Sequence, residues 1–376
     1  MNPRAAYIHV PFCRHRCGYC NFTLVAGRDD LIESYLEALA RELALLEGPH
    51  EVDTLFFGGG TPTHLPAGQL QRLFEIVRRW FPLATGGELS IEANPLDLDE
   101  KASVLSRAGV TRISLGVQSF NSDKLALLER DHQAADIHLA YQLARGVAQS
   151  VSVDLIFGAP GETLDDWHRD LEAALALAPD HVSTYGLTFE KGTAFWSRLA
   201  DGELAQIPEE TERQMYELAI DTLTAAGYEH YEVSNFARPG HRCRHNETYW
   251  SGEQYFAAGP GAARFIVGRR EINHRSTTTY INRLLAGQSP VAESETLEPE
   301  DAARERLVFS LRRIEGIDPA AFAAQTGYSV DQLGGAALPR LIELGFLEQP
   351  PGRLRLTRAG LLVSDAIWPR FLRAEN

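Results

Sequence analysis

Residues 7–22 read YIHVPFCRHRCGYCNF, an apolar run, a proline, and then three cysteines in close succession. The run Ala5 to Val10 is short, apolar and bounded by turn residues, so it is a strand, and Cys13, Cys17 and Cys20 fall on the loop that follows it. Only four cysteines occur in the chain, and three of them stand here at spacing CX3CX2C. A disulfide framework calls for an even number of thiols and an oxidising compartment, so clustered thiols of this kind read as metal ligands. Tetrahedral zinc would need a fourth ligand of the same sort. A four-iron cube takes one thiolate per iron, and three thiolates leave one iron open to an outside ligand. The cube is preferred, with zinc as the alternative.

Moving outward from this loop, short apolar runs alternate with longer amphipathic ones. Strands are expected at Ala5 to Val10, Asp53 to Phe57, Glu88 to Ala93, Arg112 to Gly116, Val151 to Phe157 and His181 to Leu187. Helices are expected at Asp30 to Leu46, Gln69 to Trp80, Asp99 to Ala108, Gln133 to Arg145 and Thr163 to Leu177, where apolar residues recur at three and four. This alternation means a parallel α/β sheet, either open or curved into a partial barrel, with functional loops at the C-terminal strand ends. After about residue 190 the rhythm breaks. A helix at Glu209 to Ala226 leads to a segment rich in Arg, His, Gly and aromatics. From about Pro299 helices return and end in GFLEQPPGRLRLTRAGLLVSDAI, two short strand runs around a PPG turn. That order resembles a winged-helix unit, with a simple lid as the competing description.

The chain has 376 residues and a net charge of −15, from 51 acidic against 36 basic residues. Such a surface repels phosphate backbones and anionic lipid, so nucleic acid is not an expected partner. No stretch is apolar enough for a membrane helix, and no apolar signal core precedes the first cysteine; a cytoplasmic protein is expected, reaching a membrane only through an acceptor.

The other motifs sit at strand ends. FFGGGTPT, Phe56 to Thr63, offers three glycines whose amides can hold an amine or carboxylate at close range. Glu92 ends the third strand in SIEANP, and Gln118 the fourth in SLGVQSF. Arg130 and His132 follow in LLERDH, and Asp154 lies in VDLIFGAPGET. Polar residues at equivalent places on successive parallel strands point to one mouth, which favours a shared ligand site over unrelated surface groups.

With these motifs in place the chain resembles the radical S-adenosylmethionine superfamily. Within it, the nearest group contains oxygen-independent coproporphyrinogen III dehydrogenase and a heme chaperone, HemW, over nearly the whole length. The resemblance implies a partial (β/α)6 barrel like part of a TIM barrel, with a smaller C-terminal α+β module. It implies a [4Fe-4S] cluster on Cys13, Cys17 and Cys20, and S-adenosyl-L-methionine contacted by Tyr7, Gly59, Gly60, Thr61 and Glu92. A second S-adenosylmethionine site in the dehydrogenase maps onto Tyr19, Thr61, Gln118, Arg130, Asp154 and Gly186, although ER stands here where the group reads GR before His132. The dehydrogenase carries a fourth cysteine two residues beyond the third and a longer N-terminal arm. Phe22 stands at the first place, and the cluster already begins at residue 13. On both counts the chaperone is the nearer relative.

CRHNETYW carries the chaperones' HNXXYW motif on His245, Asn246, Tyr249 and Trp250, while GPGAARF replaces the usual GPGAHS. Independently, residues 241–275 offer imidazole or thiolate from His241, Cys243 and His245, flat walls from Tyr249, Trp250, Tyr255 and Phe256, and several arginines for propionates. The reading competes with an ordinary packed histidine beside a tryptophan; His245 is the expected axial ligand and Cys243 the reserve. The expected organisation is a barrel over 1–235, the aromatic segment over 236–298 closing it, and the module over 299–376. The expected function is heme binding and delivery to an acceptor protein, with radical decarboxylation of porphyrinogen propionates as the alternative.

Overall fold

The computed structural model describes residues 2–372. Six strands, β1 (Ala5–Val10), β2 (Val52–Gly59), β3 (Leu83–Ala93), β4 (Arg112–Gln118), β5 (Ser150–Phe157) and β6 (His181–Gly186), form the centre. Each is followed by its helix, in turn α1 (Ile32–Leu43), α2 (Ala67–Trp80), α3 (Ala102–Ala108), α4 (Ala134–Val147), α5 (Leu164–Ala176) and α6 (Glu209–Ala225). Successive strands pair in parallel and in chain order. A helix between each pair is what lets a chain return to the same end of a parallel sheet.

Strand alternation then separates two faces. Ile8, Leu55, Phe57, Ile91, Ile113, Leu115, Val151 and Val153 pack into one apolar core beneath the helices. The residues between them, including Tyr7, Thr54, Glu92, Ser114 and Asp154, point to the opposite, inner face. The oily face fixes the register; the polar face is left to carry chemistry.

The sheet is longer than the sequence pattern suggests. An antiparallel hairpin of β7 (Glu229–Glu232) and β8 (Asn235–Ala237) continues from β6, and β9 (Phe256–Ala258) pairs in parallel with the outer edge of β1. The nine strands run in the order β9-β1-β2-β3-β4-β5-β6-β8-β7, and the two end strands do not pair with one another among the described residues. The barrel is therefore partial. Helix α7 (Arg244–Trp250) precedes β9, and β10 (Ala263–Ile266), β11 (Arg269–Asn273) and β12 (Val291–Thr296) form a separate antiparallel sheet with α8 (Thr277–Leu285) between its last two strands.

From α9 (Pro299–Leu311) onward, short helices and a hairpin pairing Leu347–Glu348 with Arg355–Leu356 close over a second apolar cluster. Leu307, Phe322, Leu333 and Leu356 belong to it, and Tyr216 of α6 packs against both clusters. No helix among the described residues is long and apolar enough to cross a membrane.

Candidate functional site

At the C-terminal ends of β1 to β6 the inner face opens into a cavity of about 340 Å³. Cys13, Cys17 and Cys20 line it from the loop after β1, and Gly59, Gly60 and Thr61 from the loop after β2. The two loops touch through backbone, since Gly60 N–H donates to Val10 O and Thr61 N–H to Phe12 O, each at 2.8 Å. Glycine is required there. A Cβ on Gly59, whose φ is 113°, would stand 2.4 Å from the His9 ring, and one on Gly60 would stand 2.6 Å from Phe12 O. Arg16 braces the thiol loop by donating to Cys20 O at 3.2 Å and Leu24 O at 2.8 Å.

The thiols differ in their company. Cys13 Sγ lies 3.3 Å from Thr61 Oγ1, and Cys17 Sγ 3.4 Å from Arg130 Nη1. Burial pushes the Cys13 thiol up to about 12 and raises that of Cys20. Thiolates at these positions therefore call for positive charge from a metal. Among the described residues no three His, Cys, Asp or Glu side chains converge as a single ion would require. Three thiols around one cavity fit a cube, which takes one thiolate per iron.

Two carboxyls face the thiols. Glu92 Oε2 accepts Gly59 N–H at 2.9 Å, and Asp154 accepts Ser114 Oγ at 2.8 Å and Ser152 Oγ at 3.1 Å. Burial raises both; Glu92 reaches about 7, the nearby Asp154 adding to the effect while the Gly59 amide opposes it. A cationic ligand group would return their charge. Tyr19, Gln118, Arg130 and Gly186 also line the cavity, Gln118 with a left-handed φ of 65°. Tyr7 does not. Its hydroxyl bonds His9 Nδ1 at 3.1 Å, and His9 Nε2 reaches Thr23 O at 2.6 Å. No motif marks His9, although strand alternation from Tyr7 places it inward.

The segment expected to hold heme is divided by the structure. Its first part seals the N-terminal end of the barrel, away from the thiols. His245 is 1% exposed, with Nδ1 2.9 Å from Thr54 Oγ1, Nε2 2.8 Å from Tyr249 Oη, and its ring stacked on Phe56 at 5.2 Å. Both ring nitrogens are engaged, and burial drops the imidazole to about 3. Cys243 is also buried, 3.7 Å from Glu88 Oε1, and burial lifts its thiol to about 12. The expected axial ligand His245 and its reserve Cys243 thus both lie buried in the barrel floor, with the polar atoms of each already engaged. Asn246 is half-buried in the same helix. Tyr249 and Trp250 instead line a separate cavity of about 450 Å³, with Tyr255, Phe265 and Phe309. The cations expected for propionates are mostly spent on carboxylates, Arg242 on Glu229, Arg264 on Glu271, and Arg270 on Glu295 and Glu305.

Residues 7–174 match the radical SAM superfamily, and residues 297–363 the HemN C-terminal domain. The heme chaperone HemW of Bacillus subtilis is 36% identical over 375 residues, covering 98% of this chain and 99% of that protein. This chain belongs to the HemW family. HemW of Escherichia coli is 34% identical, with 99% of each chain covered, and a mitochondrial radical S-adenosyl methionine domain-containing protein 1 from Danio rerio is 32% identical, with 97% and 86% covered. The fold agrees with a solved structure of coproporphyrinogen III oxidase (HemN) from Escherichia coli, TM-score 0.86 at 24% identity, covering 98% of this chain and 90% of that one. Membership in the superfamily implies a [4Fe-4S] cluster and S-adenosylmethionine, and the cavity at the strand ends offers the donor set they need.

Proposed function

We propose that this protein is a heme chaperone that binds heme and passes it to an acceptor protein, carrying a [4Fe-4S] cluster on Cys13, Cys17 and Cys20. The observation that carries this reading is the end-to-end match to proteins named heme chaperones. HemN, by contrast, is similar at the level of fold. Phe22 at the place of the dehydrogenase's fourth cysteine, 58% exposed beside the thiol loop, supports the same choice. The aromatic cavity beside α7 is consistent with a flat apolar cargo.

At the strand ends, Glu92 would hold a cationic group of S-adenosylmethionine beside the close-packed Gly59–Gly60 turn, and Asp154 would be kept in place by Ser114 and Ser152. When bound, the cluster supplies an open iron and an electron for the sulfonium. A second reading, radical decarboxylation of coproporphyrinogen III, is favoured by the retention of this whole cavity. One experiment separates them. Anaerobically reconstituted protein is incubated with coproporphyrinogen III, dithionite and S-adenosylmethionine, and separately titrated with hemin. The chaperone reading expects saturable hemin binding and no vinyl product; product formation without hemin retention would overturn it.

A further inference from the structure

Arg130 follows Glu129, whose φ is 57°, at the end of the short helix Ser122–Leu127, and its side chain runs inward to the thiol loop. Nη2 donates to Gly116 O at 2.9 Å, which anchors the guanidinium to the end of β4. Nη1 lies 3.4 Å from Cys17 Sγ. Nε is buried without a hydrogen-bond partner, and no carboxylate forms an ion pair with Arg130 among the described residues. A buried guanidinium left without a counter-charge is costly, so its position calls for an anion at the thiol loop. Neighbouring cations do not supply this contact: Arg16 is used on backbone carbonyls and Arg14 on Asp97.

We infer that Arg130 is a positioning residue for the cluster, donating a charge-assisted hydrogen bond to the Cys17 thiolate and so raising the reduction potential of the cube. This rests on the proposed cluster. A cube held by three thiolates is an anion, and one-electron reduction adds a further negative charge. A fixed cation at one sulfur therefore stabilises the reduced form more than the oxidised one, and hydrogen bonds to cluster sulfurs are a recognised lever on potential. The planar fork serves Gly116 O and Cys17 Sγ at once, which a lysine ammonium on a flexible stem cannot reproduce.

The test is an EPR-monitored dithionite titration of reconstituted wild type, Arg130→Met and Arg130→Lys, with iron and sulfide measured on each sample. Arg130→Met should load as wild type does and have a lower midpoint, by a tenfold or greater change in the reduced-to-oxidised ratio, which is about 59 mV for a one-electron couple. Arg130→Lys should fall between them. Arg14→Met, which removes a cation of the same loop that touches no thiol, should shift the midpoint less. An unchanged midpoint in fully loaded Arg130→Met overturns the inference. Loss of the cluster from both Arg130 variants overturns it too, since Arg130 would then build the site rather than tune it. If wild type itself takes up no cluster, the underlying reading fails instead.

Discussion

The two ends of the barrel hold similar side chains to different purposes. At the mouth stand thiols, carboxyls and a guanidinium, most of them half-buried; at the floor stand Cys243, Glu88, His245, His181 and Arg112, all buried. The floor's groups are matched to one another. Glu88 accepts the N–H groups of Arg244 and His245 at 3.1 and 3.2 Å, and His181 is held between Ser152 Oγ and Tyr231 Oη, each at 2.8 Å. At the mouth the thiols, Glu92 and Arg130 surround open space and keep unspent capacity. Residue type alone does not mark a site; what matters is whether the polar capacity is already used.

The sharpest way to break this contrast is to remove one thiol from each end. Cys17→Ala should abolish the cluster, while Cys243→Ala should leave it at wild-type occupancy, because the floor thiol lies across the barrel from the loop. Iron and sulfide content after anaerobic reconstitution decide it. Equal loss from both variants would make the mouth and floor one site.

His245→Ala tests the floor directly. The ring's removal leaves Thr54 and Tyr249 without their partner and opens a hole beneath Phe56, so a loss of about 2–5 kcal/mol in unfolding free energy is expected. Urea unfolding measures it, and a hemin titration of the same protein completes the test. A variant as stable as wild type that had lost its Soret band would return His245 to the role of iron ligand.

These two tests also divide what the sequence reveals from what it hides. The strand–helix rhythm was legible because alternation and helical spacing are local: the strand expected at Arg112 to Gly116 ends at Gln118, and the helix expected at Asp30 to Leu46 spans Ile32–Leu43. The thiol loop was legible because its three ligands lie together in the chain. The floor was not. Thr54 and His245 are 191 residues apart, so a histidine that plugs a barrel and one that holds an iron look alike in the sequence. The small sheet β10–β11–β12 is hidden for a related reason, since its strands are short, half-buried or, in β12, mostly exposed, and carry charge where alternation would show. Likewise the buried Lys124, bridging Glu162 and Asp170 behind the loops after β4 and β5, has no local signal.

A smaller effect is expected from Glu92→Ala. The carboxylate lies beyond the thiols, so cluster content should hold while S-adenosylmethionine binding weakens. Losing a charge-assisted hydrogen bond costs about 1.5–3 kcal/mol, roughly tenfold or more in Kd. Equilibrium binding to the reconstituted protein measures it, and an unchanged Kd would make Glu92 a brace for Gly59 alone.

The mildest test concerns pH, and it separates the two ends by sign. Glu92 has its pKa raised to about 7, chiefly by burial, so the folded ligand-free protein holds this proton more tightly than the unfolded chain does. Its stabilising contribution is full below the unfolded pKa of about 4.3, shrinks as pH rises, and is gone above about 7. Glu92→Gln is neutral throughout. The variant should therefore match wild type near pH 4.5 and exceed it by on the order of 1–3 kcal/mol near pH 8, measured by urea unfolding of both proteins across that range. Binding should run the other way, because a cationic ligand favours the carboxylate; S-adenosylmethionine affinity of wild type should fall as pH drops through 7. His245 at the floor, held down at about 3, stays neutral in the fold while the unfolded imidazole takes up a proton below about 6.5, so it adds a slope of the opposite sign that is the same in both proteins and cancels from their difference. Parallel stability curves for wild type and Glu92→Gln would mean that the mouth, like the floor, has its charges settled before any ligand arrives.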